Sequence, residues 1–224
     1  SLVINRDLGA HMNKEIIAEI YDTFYFEPGD SAIVEATEDD LYFYRTFVGR
    51  HTIDIERGDC VYYLSDDEKT CYLKRGPVSI ESSKFATIIR GYMPENKSSS
   101  ILTKTNLPYV NGCSTKQIFP PDRLGDPTLQ LLNIPPHSAE QAHHVHSTGR
   151  VVFVLSGTGK SLVGMEGGYY VEDLYPGKVV VLGKFAPHHF ETNDEHLVVL
   201  PLHIFSSVAG LENNHPMFNG THLT

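Results

Sequence analysis

His143, His144 and His146 stand just before a hydrophobic run, and Arg150 follows four residues past the last of them. On a strand, side chains two residues apart project from one face, so His144 and His146 would aim their rings together. A second cluster, His188 and His189, follows Pro187. Neutral imidazole binds Fe, Ni, Cu and Zn. Three such nitrogens on neighbouring strands can occupy one face of a metal and leave the other positions to water, dioxygen or substrate. Arg150 cannot join them, because a guanidinium keeps its proton and offers no lone pair.

The elements that must hold these residues are strands. Thirteen prolines and 18 glycines punctuate a chain rich in Tyr, Phe, Val and Ile, a composition that favours β-structure broken by turns. Met12–Phe24 is the exception: Ile16, Ile17, Ile20, Tyr21 and Phe24 fall on one helical face and predict a short amphipathic helix. From Ser31 to Met93, short apolar-alternating runs read as strands, among them "LYFYRTFV", "HTIDI", "CVYYL" and "FATIIRGYM". The polar stretch "PENKSSS" marks a boundary, after which "TLQLLNI", "RVVFVLSG", "KSLVG", "GYYVEDL", "KVVVLG" and "EHLVVLPLHIF" form a second series.

The two series overlay. Gly76–Glu95 lies on Ala186–Ser206 with one gap, setting Pro77 on Pro187 and Glu81 on Glu191; upstream, Gly58 falls on Gly177. Val78 and Ser79 then stand where the second half has His188 and His189, and the first half has no His-x-His. The expected division is a degenerate first barrel over residues 12–97, a second barrel over 98–210 that alone holds the histidine site, and a tail over 211–224. "GAHM" before Met12 reads as a cloning remnant, so residues 1–11 are left out of the fold reasoning.

The second half resembles the cupin family on two motifs. In cupins the first is His-x-His, three residues, Glu, six residues and Gly; here His144-Val-His146 leads through Arg150 to Gly157. The second is Gly, a strand, a Pro-His step and a polar residue; here Gly177, Pro187-His188 and Asn193. This spacing selects His144 and His146 over His143, and His188 over His189. The resemblance implies an all-β fold of jelly-roll, double-stranded β-helix barrels, two in tandem behind the short helix. It implies one divalent transition metal, iron first with nickel, manganese, zinc or copper as alternatives, on His144, His146 and His188.

Arg150 departs from the family, which places a carboxylate ligand there. One reading is a three-histidine centre, similar to that of several cupin dioxygenases, with Arg150 clamping a substrate carboxylate or enolate. The other is a site without metal in which Arg150 fills the cavity, ion-paired to Glu140 or Glu191. On the first reading Arg150 and Glu191 are the candidate catalytic residues, and Phe153, Leu155 and Phe190 line the pocket. Glu140, Gln141 or water could complete the coordination.

The net charge of −10 argues against nucleic acid or an anionic membrane as partner, and no apolar run reaches membrane-spanning length. Cys60, Cys71 and Cys113 lack metal-site or disulfide spacing and read as reduced thiols, so a cytoplasmic setting is expected. "GTGK" lacks phosphate-loop spacing and reads as a hairpin turn. Asn219–Thr221 fits a glycosylation pattern, set aside without a secretory signal. The expected function is a metal-dependent enzyme acting on a small, anionic, oxygenated metabolite, first a dioxygenase and otherwise an isomerase, decarboxylase or lyase. A non-catalytic ligand-binding protein is the alternative, and a homodimer is expected in either case.

Overall fold

The run Arg150–Gly157 carries two hydrophobic rows at once, and each row meets a different core. Val152 and Val154 belong to one buried cluster, Val151 and Phe153 to another. In the computed structural model, which describes residues 12–204 apart from 41 and 124, this division separates a barrel interior from a barrel-to-barrel interface. The expected tail, the Asn219–Thr221 pattern and residues 1–11 lie outside the described residues.

The chain opens with helix α1 (Lys14–Tyr21) and strand β1 (Phe24–Phe26). The first half continues with β2 (Ala32–Glu35), β3 (Tyr44–Val48), β4 (His51–Ile55), β5 (Asp59–Leu64), β6 (Thr70–Arg75), β7 (Val78–Ser82), β8 (Phe85–Arg90) and β9 (Lys97–Ser100). The second holds β10 (Leu107–Pro108), β11 (Ser114–Phe119), β12 (Thr128–Ile134), β13 (Arg150–Gly157) and β14 (Gly159–Val163), then β15 (Tyr170–Leu174), β16 (Val179–Leu182), β17 (His188–Glu191) and β18 (Leu197–His203).

Two large sheets correspond strand for strand. The first runs β2-β3-β8-β5-β6-β9; the second, apart from the added edge strand β10, runs β11-β12-β18-β13-β16-β1. Every pairing is antiparallel. Each large sheet faces a small one, β4-β7 in the first half and β15-β14-β17 in the second. This is the all-β, double jelly-roll architecture expected.

The sequence overlay is right for β7–β8 on β17–β18. It is one strand out upstream. Topologically β5 corresponds to β13, and β6 to β16. What the overlay matched was turn chemistry: Gly58 (φ 93°) and Gly177 (φ 91°) both take the left-handed conformation before an apolar strand. The first half also lacks a counterpart of β14–β15, and a tight turn over residues 65–69 joins β5 directly to β6, closed by Ser65 N–H donating to the Thr70 carbonyl at 2.8 Å.

The division of the chain also differs from the expectation. β1 precedes the first barrel but pairs with β16, setting Phe24, Tyr25 and Phe26 opposite Val181, Val180 and Val179. β9 precedes the second barrel but pairs with β6 of the first. Each barrel therefore takes its outer strand from the segment leading into the other. Helix α1 goes with β1: Asn13 caps it by accepting from Ile16 N at 2.9 Å, and Ile17 is its only buried residue, lodged in the second barrel. Ile20 is 53% exposed, and Phe24 already belongs to a strand.

The interface cluster joins Tyr62, Phe85 and Ile89 of the first sheet to Val151, Phe153, Leu200 and Leu202 of the second, with the Phe85 and Phe153 rings stacked at 5.8 Å. Inside the first barrel Phe47, Ile53, Ile55, Tyr63, Ile80 and Ile88 fill the space. The second barrel fills only part of its interior and keeps a cavity.

Candidate metal centre

The second barrel's cavity, about 400 Å³, opens among β11, β12, β13, β17 and β18 and the segment before β13. Backbone pairing builds the side that carries the histidines. His144 lies in no strand, contrary to the expectation of a strand carrying both its ring and that of His146. It forms a single antiparallel bridge with His188, His144 N donating to His188 O at 3.1 Å and His188 N to His144 O at 2.9 Å.

The rings are set by a further layer of contacts. His144 Nδ1 lies 2.7 Å from the Ala142 carbonyl, and His188 Nδ1 2.7 Å from the Ala186 carbonyl. A carbonyl can only accept, so each Nδ1 carries the proton and each Nε2 presents its lone pair, the tautomer a metal requires. His144 Nε2 and His146 Nε2 stand 2.9 Å apart, close to the separation of about 2.9 Å for two nitrogens at right angles on one ion at bond lengths of about 2.05 Å. Candidate ligand atoms of His144, His146 and His188 all lie within 4.8 Å of one another. The three-imidazole donor set suits a transition metal, and the His144–His146 pair stands at ligand spacing.

Electrostatics favour the same state. Burial lowers the pKa of His144, pushes His146 down to about 2 and His188 to about 3, and the Arg150 cation adds to each effect. All three rings are neutral at physiological pH, as ligation demands.

Arg150 lines the cavity at 4% exposure. Its Nη1 donates to Thr148 O, Thr148 Oγ1 and Gly149 O at 3.2, 2.7 and 3.1 Å. Among the described residues no carboxylate pairs with it, so the expected ion pair with Glu140 or Glu191 does not form. Burial lowers its pKa to about 10, which leaves it charged at neutral pH. Its Nε is buried without a hydrogen-bond partner.

Strand parity sorts the remaining expected residues. Phe190 lines the cavity. Phe153 and Leu155 do not; being odd-numbered on a strand that aims Arg150 and Val152 inward, they point into the interface between barrels. Glu191 fails by the same rule, because β17 buries His188 and Phe190 and turns His189 and Glu191 outward. Glu191 Oε2 lies 3.1 Å from His189 Nε2, and His189 Nδ1 lies 2.7 Å from His143 Nδ1, on the outer face. Gly157, which ends the first motif, has φ 76°, and a Cβ there would collide with the His196 carbonyl oxygen.

Two cavity residues carry more than the sequence assigned them. Glu140, 8% exposed, accepts from Phe190 N at 2.8 Å through Oε2, and burial outweighs that bond to push its pKa up to about 8. His203 lines the cavity beside Arg150, its register partner across β13 and β18. Its place was readable in part: Leu200 and Leu202 alternate into the interface, which sends Pro201 and His203 the other way. No periodicity marks Glu140, which lies in an irregular segment.

No family model matches the chain, and no curated protein does. Solved structures do. A protein from Pseudomonas aeruginosa, named for induction by glyoxylate, aligns with TM-score 0.51 and 11% identity over 82% of this chain and 80% of its own. A cupin-2 domain from Rhodospirillum rubrum aligns at TM-score 0.35 and 22% identity over 40% of this chain and 57% of its own. A mutant of Bacillus subtilis oxalate decarboxylase gives TM-score 0.42 and 11% identity over 87% of this chain and 80% of its own. At such identities the likeness bears on fold and leaves chemistry to the site.

Proposed function

We propose that this chain, a two-barrel protein of the cupin fold, is a metal-dependent enzyme acting on a small, anionic, oxygenated metabolite. The observation that supports it most is the convergence of three neutral imidazoles, two of them held by backbone carbonyls in the ligating tautomer, in a cavity that also holds an unpaired arginine. His144, His146 and His188 would hold one divalent transition metal, iron first and nickel, manganese, zinc or copper otherwise. Such an ion supplies Lewis-acid polarisation of a substrate oxygen or activation of dioxygen.

The chain's own groups divide the remaining work. Arg150 binds and orients the anion, since a cationic centre with no carboxylate ligand beside a guanidinium is electrically incomplete without one. Glu140, its pKa raised by burial, carries a proton at neutral pH in the wall of the cavity, where it can serve a substrate oxygen or carbon. Phe190, Val152 and Leu182 supply apolar wall.

A dioxygenase-type reaction is the first reading, because a three-histidine set resembles that of cupin dioxygenases. Glu140 favours a second, isomerase, decarboxylase or lyase chemistry, redox-neutral reactions that need a proton moved and no oxidant. Elemental analysis of wild type purified without chelator, beside His146→Ala, tests the common premise. Near-stoichiometric transition metal in the wild type and a loss on the order of tenfold or more in the variant are expected; trace metal in both rejects the proposal. Oxygen uptake with a panel of 2-oxo and 2-hydroxy acids then separates the two chemistries. We also propose a homodimer, which light scattering would register as twice the 25.0 kDa chain mass.

A further inference from the structure

Across three neighbouring strands, β12, β18 and β13, the side chains of Thr128, His203 and Arg150 stand in register, and all three line the cavity. The His203 ring makes no hydrogen bond among the described residues, and Arg150 uses only Nη1, leaving the Nε–Nη2 edge of the guanidinium without an acceptor. A buried polar group without a partner is costly; the Arg150 Nε is one, and the partly buried His203 ring beside it is also open to a ligand that satisfies both. A carboxylate does: one oxygen accepts from the guanidinium and the other from the imidazole N–H.

The next strand changes character. Gln117 and Gln130 face each other in register on β11 and β12. Thr128 Oγ1 lies 2.8 Å from the Gln117 amide and 3.0 Å from the Phe119 carbonyl, the Gln130 side chain has no partner among the described residues, and both amides line the cavity. Strands lie about 5 Å apart, so this neutral wall begins about 10 Å from Arg150. Amides and hydroxyls of no net charge match alcohol groups and neither a second anion nor bare hydrocarbon.

We infer that Arg150 and His203 together form a carboxylate-binding subsite and that Gln117 and Gln130 take the hydroxyl end of the same molecule, so that the substrate is a short hydroxylated carboxylic acid. The inference deepens the proposed reading of this cavity as a substrate site but does not depend on the metal. Calorimetric titration of the full-length protein with gluconate, hexanoate and sorbitol tests it, metal content being measured on the same samples. Gluconate should bind wild type on the order of tenfold tighter than either other probe. Arg150→Gln and His203→Asn should each weaken gluconate by a similar factor, with His203→Phe as a second replacement in case the first fails to fold. Gln130→Leu should bring gluconate down to the level of hexanoate while leaving hexanoate unchanged. Hexanoate binding as tightly as gluconate, no binding of any probe, or wild-type affinity in both His203 variants overturns the inference. Arg150-dependent gluconate binding in metal-free protein upholds the subsite even where the metal proposal fails.

Discussion

A single buried group can be tuned in either direction by the same cause, and this cavity holds both cases. Burial disfavours charge, so it lowers the histidines and raises Glu140. The consequences for stability have opposite signs. In metal-free protein His146 and His188 titrate at about 2 and about 3 when folded, against 6.5 as the ordinary value. Over that window the unfolded chain binds more protons, so the stability of the neutral rings is present above about 6.5 and lost as pH falls. Glu140, raised from 4.5 to about 8, contributes stability that is full below the lower value and lost as pH rises through the upper one. Thermal melting in chelator between acid and alkaline limits should show a maximum near neutrality. Glu140→Gln should abolish the alkaline decline, by several degrees at the alkaline end, and leave the acid one; a decline unchanged in the variant would assign it elsewhere.

At the scale of the element, parity along a strand decides which chemistry a residue can reach. Arg150 and Val152 belong to the cavity, Val151 and Phe153 to the interface, although Val151 and Val152 are the same residue type. Phe153, 1% exposed and stacked on Phe85, should cost about 3–5 kcal/mol when replaced by Ala. Denaturant unfolding should register that loss while the folded variant retains wild-type metal content. Glu191→Gln should likewise retain it, because its carboxylate faces His189 outside the barrel. A loss of metal in folded Phe153→Ala protein would mean that the interface and the metal centre are coupled.

At the scale of the molecule, the two barrels are bound by exchange as well as by contact. β1 completes the second barrel's sheet, and the adjoining Glu27 reaches the fully buried Lys178 at 3.4 Å, whose Nζ also lies 2.6 Å from Glu172 Oε1. Lys14 reaches the same Glu172 at 2.9 Å. Removing residues 12–27 would strip β16 of its outer partner and leave Lys178 uncovered, with Glu172 in place of two carboxylates. The shortened chain should unfold at a lower denaturant concentration and release its metal to chelator faster than the full chain. Equal midpoints for the two would remove the exchanged strand from any role in holding the site.

Much of this was written in the chain itself. The spacing of His144, His146 and His188 against Gly157 and Gly177 was legible through its resemblance to the cupin motifs; the alternation that predicts strands and the replacement of His188 by Val78 in the first half are local properties that sterics and hydrophobicity suffice to read. Periodicity says which residues share a face. It does not say which core that face will meet, and in β13 both faces are apolar, so only packing of one sheet against another assigned Phe153 to the interface. The pairing of β1 with the distant β16, the turning outward of Glu191, and the placing of Glu140 and His203 beside the histidines depend on contacts between residues far apart in sequence. Those contacts exist only once the barrels have closed.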